Sequence, residues 1–409
     1  MYRKTPSEGS AVVQTRFVQG DYAPGEEGRL SVMFWNVENF FDWRNDSTTV
    51  SDAEFSAQGE RHWTWKRFQA KANAFAKALL WVEGETGRLP DVVGLAEVEN
   101  AFVLRQVLQK TALRKLDYRY VHYNSPDQRG IDVALLYRSS VLELLDSKPC
   151  HLYAADSLLA TRDILLCVFR RIVPDTPSVV PGTSSVISDT SAAVPVVPSD
   201  IPEIPAVIPG LTGNLPDGHD GVFAVLVNHH PSKYGGASES EPRRRIAVER
   251  LRFLADSLSA AGIDRIIACG DFNDTPANPV FHLLEPTLRP LHLDLYRRGF
   301  GTIKYDGKWD LIDHFYVSPG WTSSPSGGSL SASSSPSLSP SSSSTSSAIP
   351  SPAPPLAPSP TMRLLRIPFL LTRDTVHSGE KPLRTYTGPR HTGGVSDHLP
   401  ILLEVTLPP

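Results

Sequence analysis

Two short segments contain the residue types best suited to chemistry. Gly270-Asp271-Phe272-Asn273 follows the apolar run 265–269, and Ser396-Asp397-His398-Leu399-Pro400 precedes the apolar run 401–403. Carboxylate and amide oxygens bind hard divalent cations, and a histidine can transfer a proton near neutral pH. Together these groups are suited to the metal-assisted hydrolysis of a phosphate ester. Either segment alone is weak evidence, because Asp and Asn are also common turn residues.

Polar residues end two other apolar runs. Asn36 follows 30–35, and Glu97 follows 92–96. A carboxylate at the end of a buried strand costs free energy unless it is paired or binds a metal ion. The pattern therefore favours a ligand role for Glu97, and a solvated strand end is the alternative.

A basic residue and a tandem of histidines add further candidates. Arg129 precedes an apolar run and has the planar guanidinium that clamps phosphate, although in isolation a surface turn explains it better. Asn228, His229, His230 and Lys233 lie together at the end of another apolar run. The tandem leaves open which of the two rings acts.

Asp313 lies inside the strand-like run 311–317, where a charged group needs a partner. His398 is the natural partner, because a carboxylate fixes the tautomer of an imidazole and raises its basicity. Asp397 then remains available as a further cation ligand.

In this order along the chain, these motifs resemble the endonuclease/exonuclease/phosphatase family, the DNase I-like and exonuclease III-like metal-dependent phosphohydrolases. The resemblance spans residues 30–405 with two insertions looped out. It implies an α/β (α+β) fold, a four-layer α/β/β/α sandwich of two packed mixed sheets. It also implies dependence on Mg²⁺ or Mn²⁺.

The resemblance also implies a role for each motif residue. Glu97 would be the principal metal ligand with Asn36 and Asp397 nearby, and Asp271 would orient or deprotonate the attacking water. Asn273 would hold phosphate or nucleophile, while His398, polarised by Asp313, would stabilise the transition state or transfer a proton. His229 would contact the phosphate or assist the leaving oxygen. The remaining substrate contacts would come from Asn36, Arg129, Asn228 and Lys233.

Short strands with a few helices must position these residues. The apolar runs bounded by turn residues predict strands at Leu30–Trp35, Val92–Leu95, Tyr118–His122, Asp132–Tyr137, Ile164–Ile172, Phe223–Val227, Arg265–Cys269, Leu311–Val317 and Ile401–Val405. Apolar residues at helical spacing predict helices over 65–79 and 246–258, with Pro242 opening the second.

Three segments lack the composition of a core. Residues 1–28 read as a disordered N-terminal segment. Residues 174–220 are rich in Pro, Val and Ser and contain six acidic residues and no lysine or arginine, and 319–361 are dominated by Ser and Pro and contain no charged residue. Both inner segments fall between predicted strands. We therefore expect one domain over 29–409 that carries them as low-complexity insertions.

The bulk composition excludes several classes of protein. A formal charge of −4 gives no general attraction to polyanions, and three cysteines without CxxC spacing indicate neither a disulfide scaffold nor a zinc cluster. No segment has the apolar length of a membrane span, and the N-terminus lacks a signal-peptide pattern. We expect a cytoplasmic monomer.

The absence of a G-x-S-x-G elbow and of a P-loop argues against a serine esterase or an NTPase. We expect a metal-dependent phosphoesterase, with a nuclease acting on nucleic acid favoured. The alternatives are a phosphatase or phosphodiesterase acting on a phospholipid or small-molecule phosphate, an inactive binding module with the same fold, and a non-haem iron enzyme using His229 and His230.

Overall fold

The apolar runs form strands in the computed structural model, which describes residues 28–45, 50–172, 221–233, 236–321 and 360–407. The predicted N-terminal segment, apart from Gly28, and the whole of the predicted insertion 174–220 lie outside these described residues, as do 322–359.

The strands of the described residues are, in chain order, β1 Arg29–Phe40, β2 Val92–Val98, β3 Tyr118–His122, β4 Asp132–Arg138, β5 Leu142–Cys150, β6 Tyr153–Ala154, β7 Ser157–Leu158, β8 Ile164–Arg171, β9 Val222–His229, β10 Ile266–Asp271, β11 Arg289–Pro290, β12 Ile303–Tyr305, β13 Lys308–Asp310, β14 Asp313–Val317, β15 Thr361–Leu364, β16 Leu371–Arg373, β17 Glu380–Pro382, β18 Tyr386–Thr387, β19 Arg390–His391 and β20 Ile401–Thr406. The helices are α1 Val50–Glu54, α2 Trp65–Thr86, α3 Ala101–Lys110, α4 Ala237–Ala260 and α5 Leu293–Arg297. Short 3₁₀ turns lie at Ala112–Lys115, Pro279–Leu284, Pro319–Trp321 and Pro368–Leu370.

Two six-stranded mixed sheets form the centre of the fold. The first has the strand order β15-β20-β1-β2-β4-β3, and the second has the order β11-β14-β10-β9-β8-β5. In the second sheet Asp271 of β10 lies opposite His229 of the parallel strand β9 and opposite Asp313 of the antiparallel strand β14. In the first sheet Asn36 lies opposite Ala96, next to Glu97. The register therefore places all the strand-end residues at one end of the two sheets.

Three layers of apolar side chains separate four layers of structure. Alternate residues of β1 point to opposite faces of its sheet, so Met33 and Trp35 pack against α2 and α3 while Val32 and Phe34 pack against the second sheet. A third cluster joins the second sheet to α4 through Leu251, Leu254 and Leu258. The fold is the expected α/β/β/α sandwich of two mixed sheets.

Each of the nine predicted strands corresponds to an observed strand, but β5, β11 and β15 of the two central sheets are missed. The sequence of β5 is largely polar and contains Pro149. Proline is tolerated there because β5 is the outer strand of its sheet. The start predicted for the second helix is wrong, because α4 begins at Ala237 and Pro242 lies inside it. The turn before the proline is already helical, since the Ser240 N–H donates to Gly236 O at 3.1 Å.

The outer residues of the predicted insertion 319–361 belong to the fold. Pro319–Trp321 forms a 3₁₀ turn, and the buried Trp321 donates its indole N–H to Ile266 O at 3.1 Å. At the other end, Thr361 begins β15 and lies opposite Glu404. The remaining part of this segment, residues 322–359, stays a prediction.

We predict that residues 174–220 can be replaced by a short Asn-Gly turn without loss of the fold. Arg170 lies opposite Val222, and the Arg171 N–H donates to Gly221 O at 3.2 Å, so the two ends of the segment are already adjacent. A hairpin turn can join them, and shortening a loop changes its closure entropy only slowly. Thermal unfolding followed by circular dichroism should give a cooperative transition shifted by less than ~3 °C, roughly 1 kcal/mol or less. A non-cooperative melt would show that the segment contains part of the core.

Candidate active site

The central feature of the site is a hydrogen bond between His398 and Asp313. His398 Nδ1 lies 2.8 Å from Asp313 Oδ2, and both side chains are buried. The backbone of His398 is fixed as well, because its N–H donates to Ser396 Oγ at 2.9 Å and its carbonyl accepts the Trp35 indole N–H at 2.9 Å. The structure thus brings together the pair that the sequence predicts.

Asp271 lies at the centre of the remaining contacts. Its Oδ2 accepts a hydrogen bond from Asn36 Nδ2 at 3.0 Å, and it lies 3.7 Å from His229 Nε2 and 3.8 Å from His398 Nε2. Burial raises the pKa of Asp271 to about 7; Asp313 adds to the rise and the His398 ring opposes it. A carboxylate with such a pKa is able to accept a proton near neutral pH.

The two histidines nearest Asp271 differ in charge. Burial disfavours the charged form of His398, but Asp313 and Asp271 outweigh burial and raise its pKa well above the usual value. Burial, with Arg162 and Arg129 nearby, holds the pKa of His229 well below its usual value. These opposite pKa shifts favour the charged form of His398 and the neutral form of His229.

His229 and His230 point in opposite directions. His229 faces Asp271 and Glu97, and its Nε2 lies 3.9 Å from Glu97 Oε1. The His230 ring packs on Phe272 with ring centroids 4.6 Å apart, and burial lowers its pKa to about 3. The two rings cannot serve one ion in this arrangement, which disfavours the non-haem iron alternative.

Glu97 reaches the site through a left-handed backbone conformation. Its φ is +66°, its side chain is 14 % exposed, and Oε2 accepts the Asn39 N–H at 2.8 Å. Glu38, Asn39 and Asn273 also have positive φ values. Non-glycine residues in this region cost about 1 kcal/mol or more each and tend to cluster where function requires them.

Asp397 is held by a network that the sequence does not reveal. Arg384 Nη2 lies 3.0 Å from Asp397 Oδ2, and Arg384 Nε lies 3.1 Å from Glu38 Oε1. Lys71, buried on α2, donates to the carbonyl of Glu38 and to Thr385 Oγ1. The network ties the end of β1 to the segment that precedes Ser396. A lysine within an amphipathic helical pattern gives no signal of this role.

The other predicted residues lie around this centre. Asn273 donates its amide to His230 O at 2.9 Å and its backbone N–H to Asp271 Oδ1 at 2.9 Å, so it fixes the turn. Asn228 is fully buried and donates to Leu226 O and Cys269 O.

Two predicted cations lie further out. Lys233 pairs with Asp274 at 2.7 Å, and the Arg129 side chain is 45 % exposed beside Asp127. The structure therefore brings Arg129 to the rim of the site, but it does not bring Asn228 or Lys233 into the central group. Their roles as substrate contacts stay predictions.

Arg162 is a further residue that sequence reasoning missed. Its guanidinium is buried, and it donates to Asp127 Oδ2 at 3.0 Å and to His230 O at 2.6 Å. It therefore links the loop that carries Arg129 to the end of β9. Its place just before the apolar run of β8 is a weak signal at best.

The donor set fits a hard divalent cation. Glu97 Oε1 has only long contacts in the described residues, 3.4 Å to Asn36 Nδ2 and 3.9 Å to His229 Nε2. The partly exposed Asp397 has its Oδ1 4.0 Å from His398 Nε2. Separately, one ligand atom from each of Asp271, Asp313 and His398 lies within 4.8 Å of the others. Several carboxylates facing one small region repel each other unless a cation is present, and oxygen ligands suit Mg²⁺ or Mn²⁺.

The sequence also matches a model built for a known protein family. The model described as the endonuclease/exonuclease/phosphatase family matches residues 31–173 and 211–328, more than half of the chain. The chain belongs to the endonuclease/exonuclease/phosphatase family. It is therefore related to enzymes that hydrolyse phosphate esters. The matched residues include Asn36, Glu97, His229, Asp271 and Asp313, while Asp397 and His398 lie beyond the match.

Solved structures with similar folds are distant in sequence. A humanized D. rerio TDP2 with 14 mutations is 14% identical, with 92% of this chain and 99% of that chain covered at a TM-score of 0.45. A Bacteroides thetaiotaomicron mannosyl-6-phosphatase is 14% identical, with 92% and 99% covered at a TM-score of 0.47. The human Nocturnin catalytic domain is 14% identical, with 93% and 96% covered at a TM-score of 0.45. No curated protein matches the sequence.

We predict that Arg162→Met destabilises the protein by about 3 kcal/mol, because the buried Asp127 carboxylate loses its buried cation and keeps only the longer, partly exposed contact to Arg129. Urea unfolding measures the change. Arg170→Met is the matched control, since the Arg170–Glu143 pair is solvent-exposed and such pairs contribute at most about 1 kcal/mol. Equal losses in the two variants would contradict a role for Arg162 in holding this part of the site.

Proposed function

We propose that the protein is a divalent-metal-dependent phosphodiesterase that hydrolyses nucleic acid. The observation that carries this proposal is the convergence of Asp271, His229 and the Asp313–His398 pair on one small region beside Glu97. This arrangement offers a base, a neutral donor, a cationic donor and a carboxylate ligand within reach of a single phosphate group.

Each group has a distinct task in the proposed reaction. Asp271, oriented by Asn36, accepts a proton from the attacking water. The His398 imidazolium, held by Asp313, donates a hydrogen bond to a phosphate oxygen whose negative charge increases in the transition state. His229 is neutral and hydrogen-bonds the phosphate or the leaving oxygen.

The metal would be held by Glu97, with Asn36 and Asp397 nearby directly or through water. We propose Mg²⁺ or Mn²⁺, because the donors are oxygens and the two carboxylates, Glu97 and Asp397, are the number that such an ion usually takes from a protein. When bound, such an ion neutralises charge on the phosphate and assists the leaving oxygen.

The distribution of charge supports nucleic acid as the substrate class. Residues 101–123 contain five basic residues and a single acidic one, within a chain whose formal charge is −4. A local basic surface attracts a polyanion more than a small monoester. A panel of single-stranded DNA, RNA, plasmid, phosphoinositide and sphingomyelin separates this substrate class from the phospholipid alternative. Hydrolysis of none of them would leave two alternatives, a phosphatase acting on a small-molecule phosphate and an inactive binding module.

We predict that EDTA abolishes hydrolysis and that added Mg²⁺ or Mn²⁺ restores it. Glu97→Gln should weaken activation by the metal at least ~10-fold, because it removes the carboxylate charge that binds the ion. Glu143→Gln is the matched control, since Glu143 is exposed and pairs with Arg170. The measurement is the initial rate as a function of metal concentration. Full activity in EDTA would contradict the proposal.

We also predict that Asp313 and His398 act as one unit. His398→Ala should lower kcat at least ~10²-fold, the usual scale for a positioned acid–base group. Asp313→Asn should lower kcat substantially, and the double variant should be little worse than His398→Ala. KM should change less than kcat, because the interaction matters mainly in the transition state.

The measurement is a double-mutant cycle on the best substrate of the panel, with folding checked by circular dichroism. His282→Ala controls for a histidine replacement, because that side chain is 78% exposed and lies outside the site. Strictly additive losses would mean that Asp313 does not act through His398.

A further inference from the structure

A groove of about 560 Å³ lies between α3, the 3₁₀ turn Ala112–Lys115 and the strand β3. β3 is the outer strand of the first sheet, so no strand of the described residues covers its outer edge. Leucines and Gln109 line part of this groove. Its polar and aromatic lining consists of Arg105, Arg114, Arg119, Tyr118, Tyr120 and Tyr137.

The three arginines of the groove are exposed, and in the described part of the chain none has a carboxylate within salt-bridge distance. The one acidic residue of 101–123 is Asp117, which lies 3.2 Å from Arg138. Lys110 and Lys115 are exposed nearby. Cations grouped without counter-charges create a positive potential that attracts an anionic ligand.

Tyr120 supplies an aromatic surface within the groove. It is half-buried, whereas Tyr118 is buried with its hydroxyl donating to Pro90 O, and Tyr137 packs on Phe169 with ring centroids 5.2 Å apart. A partly exposed aromatic ring among arginines that lack a carboxylate partner is the combination that binds single-stranded nucleic acid, through stacked bases and phosphate contacts.

The groove lies at the opposite end of the first sheet from the candidate active site. Asp132, at the start of β4, lies opposite Val98 next to Glu97, and Tyr137 is five residues further along the same strand. At ~3.4 Å per residue, the distance along β4 is ~17 Å. About five stacked nucleotides span this distance at a rise of ~3.4 Å each.

We propose that the groove is a second binding site for a single-stranded segment of a nucleic-acid substrate whose scissile phosphate lies at the active site. Arg105, Arg114 and Arg119 contact phosphates, and a base stacks on Tyr120. This inference rests on the proposed function and adds to it a substrate class, single strands longer than about five nucleotides. An acidic peptide is the competing ligand that the experiment tests.

Binding is measured first, without catalysis, by fluorescence anisotropy of a labelled 16-nucleotide strand in EDTA. Replacing the three arginines by glutamine should weaken binding at least 10-fold at 0.1 M salt. It should also make the negative slope of log binding constant against log salt concentration shallower by about 2, because each phosphate contact to a single strand contributes ~0.7 to its magnitude. Tyr120→Leu should weaken binding about fivefold, the low end for one stacked base.

The matched control replaces Arg243, Arg245 and Arg252 of α4 by glutamine. These three arginines are also exposed, but they lie on the opposite layer of the fold, where Glu241 and Asp256 are close to two of them. This variant loses the same charge and should retain binding within about twofold, because long-range attraction is screened over ~10 Å at 0.1 M salt. Equal weakening in the two triple variants would overturn the proposal.

Hydrolysis is measured second, with strands of 4 and 16 nucleotides. The groove variant should raise KM for the 16-mer about 10-fold and leave the 4-mer and bis(p-nitrophenyl) phosphate unchanged. An equal effect on both lengths would overturn the proposal. The proposal would also be overturned if polyglutamate at equal charge displaced the 16-mer and Tyr120→Leu still bound the 16-mer fully. That combination indicates a surface for an acidic peptide.

The two assays separate the two inferences. If the wild-type protein binds the 16-mer through the groove but hydrolyses no nucleic acid, the proposed function fails and the groove remains a nucleic-acid site. If it hydrolyses nucleic acid and the groove variant binds normally, only the groove proposal fails. Circular dichroism melts establish that each variant is folded.

Discussion

The buried charges between the two sheets are the constraint on which the rest of the structure depends. Asp271 and Asp313 lie opposite each other on neighbouring strands, and both are almost fully buried. Two desolvated carboxylates so close are unfavourable unless a cation or a proton compensates them. The His398 ring supplies part of that compensation from the segment that precedes β20 of the first sheet. The two sheets must therefore pack in one register for the charges to be balanced at all.

The surrounding structure fixes these charges by several independent means. Left-handed conformations occur at Glu38 and Asn39 near the end of β1, at Glu97 near the end of β2, and at Asn273 just after β10. Buried cations then hold the loops, with Lys71 bonded to the Glu38 carbonyl and Arg162 bonded to the His230 carbonyl. Residues that orient reacting groups in this way limit the rearrangement needed during a reaction.

Much of this arrangement is predictable from the sequence. Apolar runs identify strands whether or not their order in the sheet is known, and polar residues at their ends identify Asn36, Glu97, His229 and Asp271. The Asp313–His398 pairing is predictable because a charge inside an apolar run needs a partner. The roles of Lys71 and Arg162 are not predictable, because their partners, which include backbone carbonyls, are brought close only by the tertiary fold. Strand β5 is not, because a polar outer strand lacks the apolar pattern.

The direction of the strands places the candidate active site and the long connection before β9 at opposite ends of the second sheet. β9 and β10 are parallel and end at His229 and Asp271, so the start of β9 lies at the opposite end of the sheet. The segment 173–220 joins β8 to that start, between Ile172 and Gly221. Both ends of this connection therefore lie away from the buried charges of the site, which explains how so long a segment is compatible with them. The groove beside β3 lies at the same end as this connection, since Tyr137 of β4 contacts Phe169 near the end of β8. A ligand bound there reaches the candidate active site only along the length of the sheet, so its contribution depends on ligand length and not on the chemistry of the phosphate being cleaved.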